Sequence, residues 1–255
     1  MPESKGQDLF SEDEIEQVQA RCERQLRLAG AMAARAGLPP QLPSGLQVPD
    51  FPPEPNFHQT WVAIPKRFAV ESIRHLPDGQ GVIAGITRLL TTKAGQALLE
   101  RLKDVLFNGK HDPQVFIDLI AYMGAAPPGY GSRIFGAIAE AQGIRGVAAL
   151  TGVAFSTKPG GKPKWFSGLK KSKGIGVEAT TSLLFGYRVE EPENLTGQFY
   201  GYHAGIDIEL SIGTNFYFDT SDDLNFQGFL TSVGFGIGLG TAVFWGWEMV
   251  IPDPG

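Results

Sequence analysis

One cysteine, Cys22, among 255 residues excludes an intramolecular disulfide framework and a cysteine-rich zinc site. Four histidines occur, His58, His75, His111 and His203, and none has a second histidine at ligand spacing, so neither a metal nor a cofactor is expected. The opening, Met1–Glu16, is polar and acidic and lacks the apolar core of a signal peptide. Synthesis in the cytoplasm is the expectation, with export by a non-classical secretion system open. Lysine and arginine are missing altogether from Val189 to Gly255, where ten acids occur. Charge is missing from Leu224 to Trp247, a run long enough by count for a membrane helix. Its two-residue period and the five glycines between Gly228 and Gly240 argue for strands instead.

What is present divides the chain into four parts. Ser11 with Glu14 forms a capping box, and a helix is predicted to about Ala36, with Ile15, Val18, Cys22, Ala29 and Met32 as its apolar stripe. Residues 1–36 read as a helical arm that docks on the rest of the chain or mediates assembly with a partner. Seven prolines between Gly37 and Asn56 make 37–56 an extended linker. Residues 57–145 read as a helical domain of short amphipathic helices, the last over Arg133–Ala141. Breaks are placed at Pro77-Asp78-Gly79, Asn108-Gly109 and Ala125–Gly129.

From 146 to 255 the period changes to two. Ile175 to Tyr187, Tyr200 to Ile212 and Phe229 to Met249 each alternate, with aromatic and aliphatic bulk on one face and glycine on the other. These runs exceed ordinary strand length and are expected to bend, with breaks at Thr181-Ser182, Gly213–Asn215 and Gly240-Thr241. The fold class is therefore α+β: an N-terminal helical region followed by a C-terminal antiparallel β-barrel of seven to nine strands. The bulky face is expected to fill the core, with the glycine face bare so that the strands can coil.

The closing run, Gly228-Phe229 through Gly234-Phe235-Gly236-Ile237-Gly238-Leu239-Gly240, resembles the eight-stranded barrel of the actinobacterial virulence-associated (Vap) proteins. That resemblance implies a compact barrel and a secreted, host-interacting protein without catalysis, some members of that family acting on membranes.

No motif names a reaction. The glycines at 234–240 lack the turn and helix of a dinucleotide loop. His203, Asp207 and Glu209 share one strand face, and Ser211, His203 and Asp207 are too spread along it for a triad. The expected role of that face is an outward polar surface. The most informative surface is a lysine-rich loop from Lys158 to Lys173, with Lys158, Lys162, Lys164, Lys170, Lys171 and Lys173 interleaved with Trp165 and Phe166 and with no acid. Basic charge beside aromatics suits an anionic lipid surface or a protein partner. A sequence pI near 5.4 argues against nucleic acid. The function expected is that of a non-enzymatic effector or toxin-like protein acting on a membrane surface or partner protein. The alternative is a small β-barrel enzyme or carrier that holds an apolar ligand.

Because few contacts are expected to cross the proline linker, deleting residues 1–50 should leave the fold of the remainder intact, without a large fall in its melting temperature. A differential scanning measurement on the truncated chain checks this.

Overall fold

The computed structural model describes residues 49–107, 110, 112, 114–208 and 210–251. The predicted arm over 1–36 lies outside the described residues. The end of the linker does not hang free. Asp50 and Pro53 offer backbone carbonyls to Gln198 Nε2 (2.8 Å) and the Tyr200 hydroxyl (3.1 Å), and Phe51 meets Trp247 edge-on at 6.5 Å.

Asn56 opens the helical region through a reciprocal cap. Its backbone N donates to Gln59 Oε1 at 3.0 Å, and Gln59 N donates to Asn56 Oδ1 at 2.9 Å. A π-helical turn, Gln59–Ala63, leads into α1 (Ile64–Arg74). The wider turn shifts the phase of the helix, so that Thr60 and Ile64 are both buried while Trp61 and Val62 face out. Three helices follow: α2 (Leu76–Thr91), α3 (Lys93–Phe107) and α4 (Gln114–Met123). The break expected at Pro77-Asp78-Gly79 falls at His75 instead. Pro77 sits in the first turn of α2, where its missing N–H costs nothing.

Six strands complete the chain: β1 (Ser132–Gln142), β2 (Arg145–Ser156), β3 (Lys164–Arg188), β4 (Gly197–Ile208), β5 (Leu210–Phe218) and β6 (Phe226–Ile251). The two long strands each serve as two. β3 pairs with β2 along its first half and with β1 along its second. β6 pairs with β5 and then with β4. β3 and β6 also pair with each other from Trp165 opposite Ile251 to Arg188 opposite Gly228. All pairings are antiparallel, and together they close an eight-stranded barrel.

Three expectations need correction. The stretch Arg133–Ala141 is strand β1, not helix, so the barrel begins inside the span read as helical domain. Ile134 and Ile138 are four residues apart, a spacing that fits both a helical stripe and one face of a strand. Lys164–Lys173 is the first half of β3 rather than loop, because it pairs with β2 and β6 on both edges. The expected breaks interrupt no strand: Thr181-Ser182 lies within β3, Gly213–Asn215 within β5 and Gly240-Thr241 within β6.

The two faces are also exchanged relative to expectation. On β6, Phe229, Val233, Val243 and Trp245 point outward and are buried beneath a layer that includes Ile64, Val82, Leu89 and Leu119 of the helices. Phe68 of α1 stacks on Tyr202 at 4.4 Å and meets Phe216 edge-on at 5.0 Å. The glycine-bearing face is the interior. There Phe166, Phe199, Tyr217, Phe244, Leu184 and Leu230 fill a narrow lumen. Glycine is needed where these rings cross. A Cβ at Gly201 would overlap both the Phe244 ring and the Phe216 carbonyl. Gly201→Ala should therefore destabilise the protein by about 1–3 kcal/mol through overpacking, read as a lower midpoint in urea with unchanged m-value.

Candidate functional site

The strand character of 164–173 disperses the lysine-rich segment. Alternation sends Phe166 and Lys170 into the lumen, each 1% exposed, so neither can touch an external surface. Lys171 points outward and lies 4.4 Å from the Phe51 ring centre. Lys173 pairs with Glu54 at 3.3 Å. Lys158 pairs with Glu191 at 2.5 Å, which holds the Glu191 carboxyl below its usual range. Trp165 packs half-buried against the outer core. Lys162 is exposed and Lys164 half-buried, both at the tip between β2 and β3. A run that is contiguous in sequence thus becomes two inward side chains, two outward lysines against the 49–56 strap, and a basic hairpin tip.

Inside the barrel, Lys170 anchors a polar layer. Its Nζ donates to Glu140 Oε2 and to Asn215 Oδ1, both at 3.0 Å, and Asn215 Oδ1 lies 3.2 Å from His203 Nδ1. All four side chains are at most 3% exposed. His203 therefore faces inward, contrary to the outward surface expected for its strand face. Gly205 and Gly213 leave the space its imidazole occupies. Burial pushes the Glu140 carboxyl up, but the charges of Lys170 and His203 and the lysine hydrogen bond outweigh that and hold it below the usual carboxylate range. At the other end of the lumen, Arg188 pairs with Glu248 at 2.6 Å and lies over the Tyr217 ring. Sequence reading missed these ion pairs. Their signal is a charged residue on the glycine face of an alternating run, at 140, 170, 188 and 248.

A third cluster joins helices to barrel. The Tyr130 hydroxyl donates to Asp78 Oδ2 at 3.1 Å and lies 2.7 Å from His75 Nδ1, while His75 Nε2 lies 3.4 Å from Glu71 Oε2. His75 also stacks on Phe226 at 4.2 Å. Burial and the Asp78 charge push the Tyr130 phenol up, so it is no phenolate nucleophile. The cluster clamps α1 and α2 onto the barrel. Among the described residues no three His, Cys, Asp or Glu side chains converge as a metal site.

A further exposed surface is the outer side of α1 together with the helical turns that lead into it from Phe57, hereafter the α1 face. Phe57 is 79% exposed, Ile73 78%, and Trp61, Val62 and Val70 also stand in solvent, with the Phe57 and Trp61 rings 6.5 Å apart. Lys66 lies on the same side. Arg74 extends outward while its guanidinium reaches Glu71 at 3.1 Å. Glu71 is the only acid between Phe57 and Leu76, and it is buried. The face is thus apolar, aromatic and basic, opposite a buried face of Thr60, Ile64 and Glu71. Sequence reading missed it because a regular helical period does not account for the π turn at Gln59–Ala63. No described helix is long and apolar enough to cross a membrane.

Compared with protein-family models, with curated proteins and with solved structures, the chain matches none.

The polar layer makes a definite stability prediction. Lys170→Met strands the Glu140 carboxylate in the lumen and should cost about 3–5 kcal/mol, whereas the double variant Lys170→Met with Glu140→Gln should recover much of it. Because Glu140 sits below its unfolded value, its pairing stabilises the fold above the ordinary carboxylate range. That contribution is lost as pH falls through the depressed value. Thermal melts between neutral and acid pH should show a shallower acid loss for Glu140→Gln than for the parent.

Proposed function

We propose that the protein is a non-enzymatic, effector-like protein that acts by docking peripherally on an anionic lipid surface through the α1 face. The observation that carries this reading is the single helix side on which Phe57, Trp61, Val62, Val70 and Ile73 stand exposed beside Lys66 and Arg74 with no exposed acid. Aromatic and aliphatic side chains on one helix face, flanked by basic charge, are the features with which a helix lies in the headgroup region of a bilayer. The filled lumen supports the same reading. The aromatic rings inside the barrel occupy the space an apolar ligand would need, which weakens the carrier alternative. The likeness of the closing strand to the Vap barrels, whose members are host-interacting proteins, points the same way. The hairpin tip bearing Lys158, Lys162 and Lys164 is a second basic feature of the surface, although Lys158 is paired with Glu191.

The test is co-sedimentation of the full chain with neutral and with phosphatidylserine-containing vesicles. Binding should favour the anionic vesicles and weaken at 1 M salt, where the Debye length falls to about 3 Å. Trp61→Ala with Ile73→Ala should reduce it strongly, and Lys158, Lys162 and Lys164→Gln to a lesser degree. Equal binding to both vesicle types, or loss with the hairpin variant alone, overturns the assignment to α1.

A further inference from the structure

We propose that the polar level of the barrel lumen is an internal water site, where about two ordered molecules bridge Glu140, Gln142, Ser182 and Asn215. Nine buried side-chain nitrogen or oxygen atoms have no hydrogen-bond partner among the described residues, and seven of them belong to lumen side chains. Five of those gather around the Lys170 ion pair: Glu140 Oε1, both amide atoms of Gln142, Ser182 Oγ and Asn215 Nδ2. Gln142 is the next inward position after Glu140 on β1. Ser182 of β3 lies diagonally across from Glu140, whose direct partner is Thr180. Asn215 is joined to Glu140 through the Lys170 ammonium. Buried polar groups in folded proteins rarely go unpaired, so a concentration of them at one level marks a bound molecule.

The lumen wall at this level is made of small residues. Gly146, Ala148, Ser172, Thr180 and Ser182 surround Glu140, Gln142 and Lys170 in the register, whereas Phe166, Phe199, Tyr217 and Phe244 fill the aromatic level. An eight-stranded barrel is only just filled by ordinary side chains, so small ones leave interior volume. The unpaired atoms set the chemistry of the occupant. Gln142 Nε2 and Asn215 Nδ2 donate, Glu140 Oε1 and Gln142 Oε1 accept, and the Ser182 hydroxyl does either. A metal ion would be repelled by Lys170 and would leave both amide N–H groups unpaired. An anion would be repelled by Glu140 and would leave its oxygen unpaired. A neutral molecule that both donates and accepts serves all five atoms, and the enclosing buried side chains restrict it to the size of water. The site also accounts for the ion pair beside it. Lys170 covers one oxygen of Glu140, and a buried pair is tolerated only when its remaining lone pairs are satisfied as well.

Oxygen-17 magnetic relaxation dispersion on the full chain counts water molecules held longer than the protein takes to tumble. Gln142→Met with Ser182→Ala removes three of the five atoms. This variant should lower the dispersion amplitude of the parent by the equivalent of about two waters. Gln142→Met alone is close in shape to the parent side chain and keeps the test available if the double variant does not fold. It removes the one amide that offers both a donor and an acceptor, and should lower the amplitude by about one water. An amplitude equal to that of the parent in whichever variant folds overturns the proposal.

Discussion

The lumen is too narrow for its own side chains, and most of the architecture follows from that constraint. Eight strands closed in a ring leave an interior just wide enough for side chains to fill. Here rings such as Phe244 cross to the opposite wall and are accommodated only because Gly201 presents none. With bulk limited inside, the larger aromatic surface of β6 is displaced to the outside of the barrel. That exterior cannot be left to water, and the helices cover it. The helical layer is therefore the second half of the barrel's core, and the two parts form one packed unit.

The same narrowness explains the buried ion pairs. Glu140 with Lys170 and Arg188 with Glu248 occupy separate levels of the lumen, with aromatic rings between them. Ion pairs in such places rarely add net stability over well-packed apolar residues. Their value lies in register. A one-residue slip of β3 would move Lys170 and Arg188 outward together and leave Glu140 and Glu248 alone inside. Glycine-rich strands specify register weakly, and paired charges at two levels restore the specification.

How far the sequence discloses this depends on which periodicities are unambiguous. The long alternating runs of β3, β4 and β6 are legible because period two persists over many residues, and the fold class follows from them. Which face points inward is not legible. The rule that bulk fills the core presumes a lumen with room, and glycine against ring is a relation between strands that no single strand displays. β1 is misread because Ile134 and Ile138 satisfy two periods at once. The lysine-rich segment misleads for a related reason. Composition suggests a loop, while the alternation that sends Lys170 inward becomes visible only once Glu140 is found opposite. The exposed face of α1 is hidden by a change of helical pitch at Gln59–Ala63, which no fixed period detects.

The pairing of β3 with β6 has a consequence for biosynthesis. Trp165 meets Ile251, so the ladder joins residues separated by most of the barrel's sequence. Until β6 leaves the ribosome, β3 has one unpaired edge along its entire length, rich in hydrophobic and β-branched residues. Nascent chains with such an edge are open to pairing with one another. The closing pairs of lowest sequence separation, around Arg188 and Gly228, can form first and zip toward Trp165, so the barrel closes last at its two ends in sequence. Topology of this kind folds slowly for its size, and yield from a cell should depend on translation rate over the last strand more than on equilibrium stability.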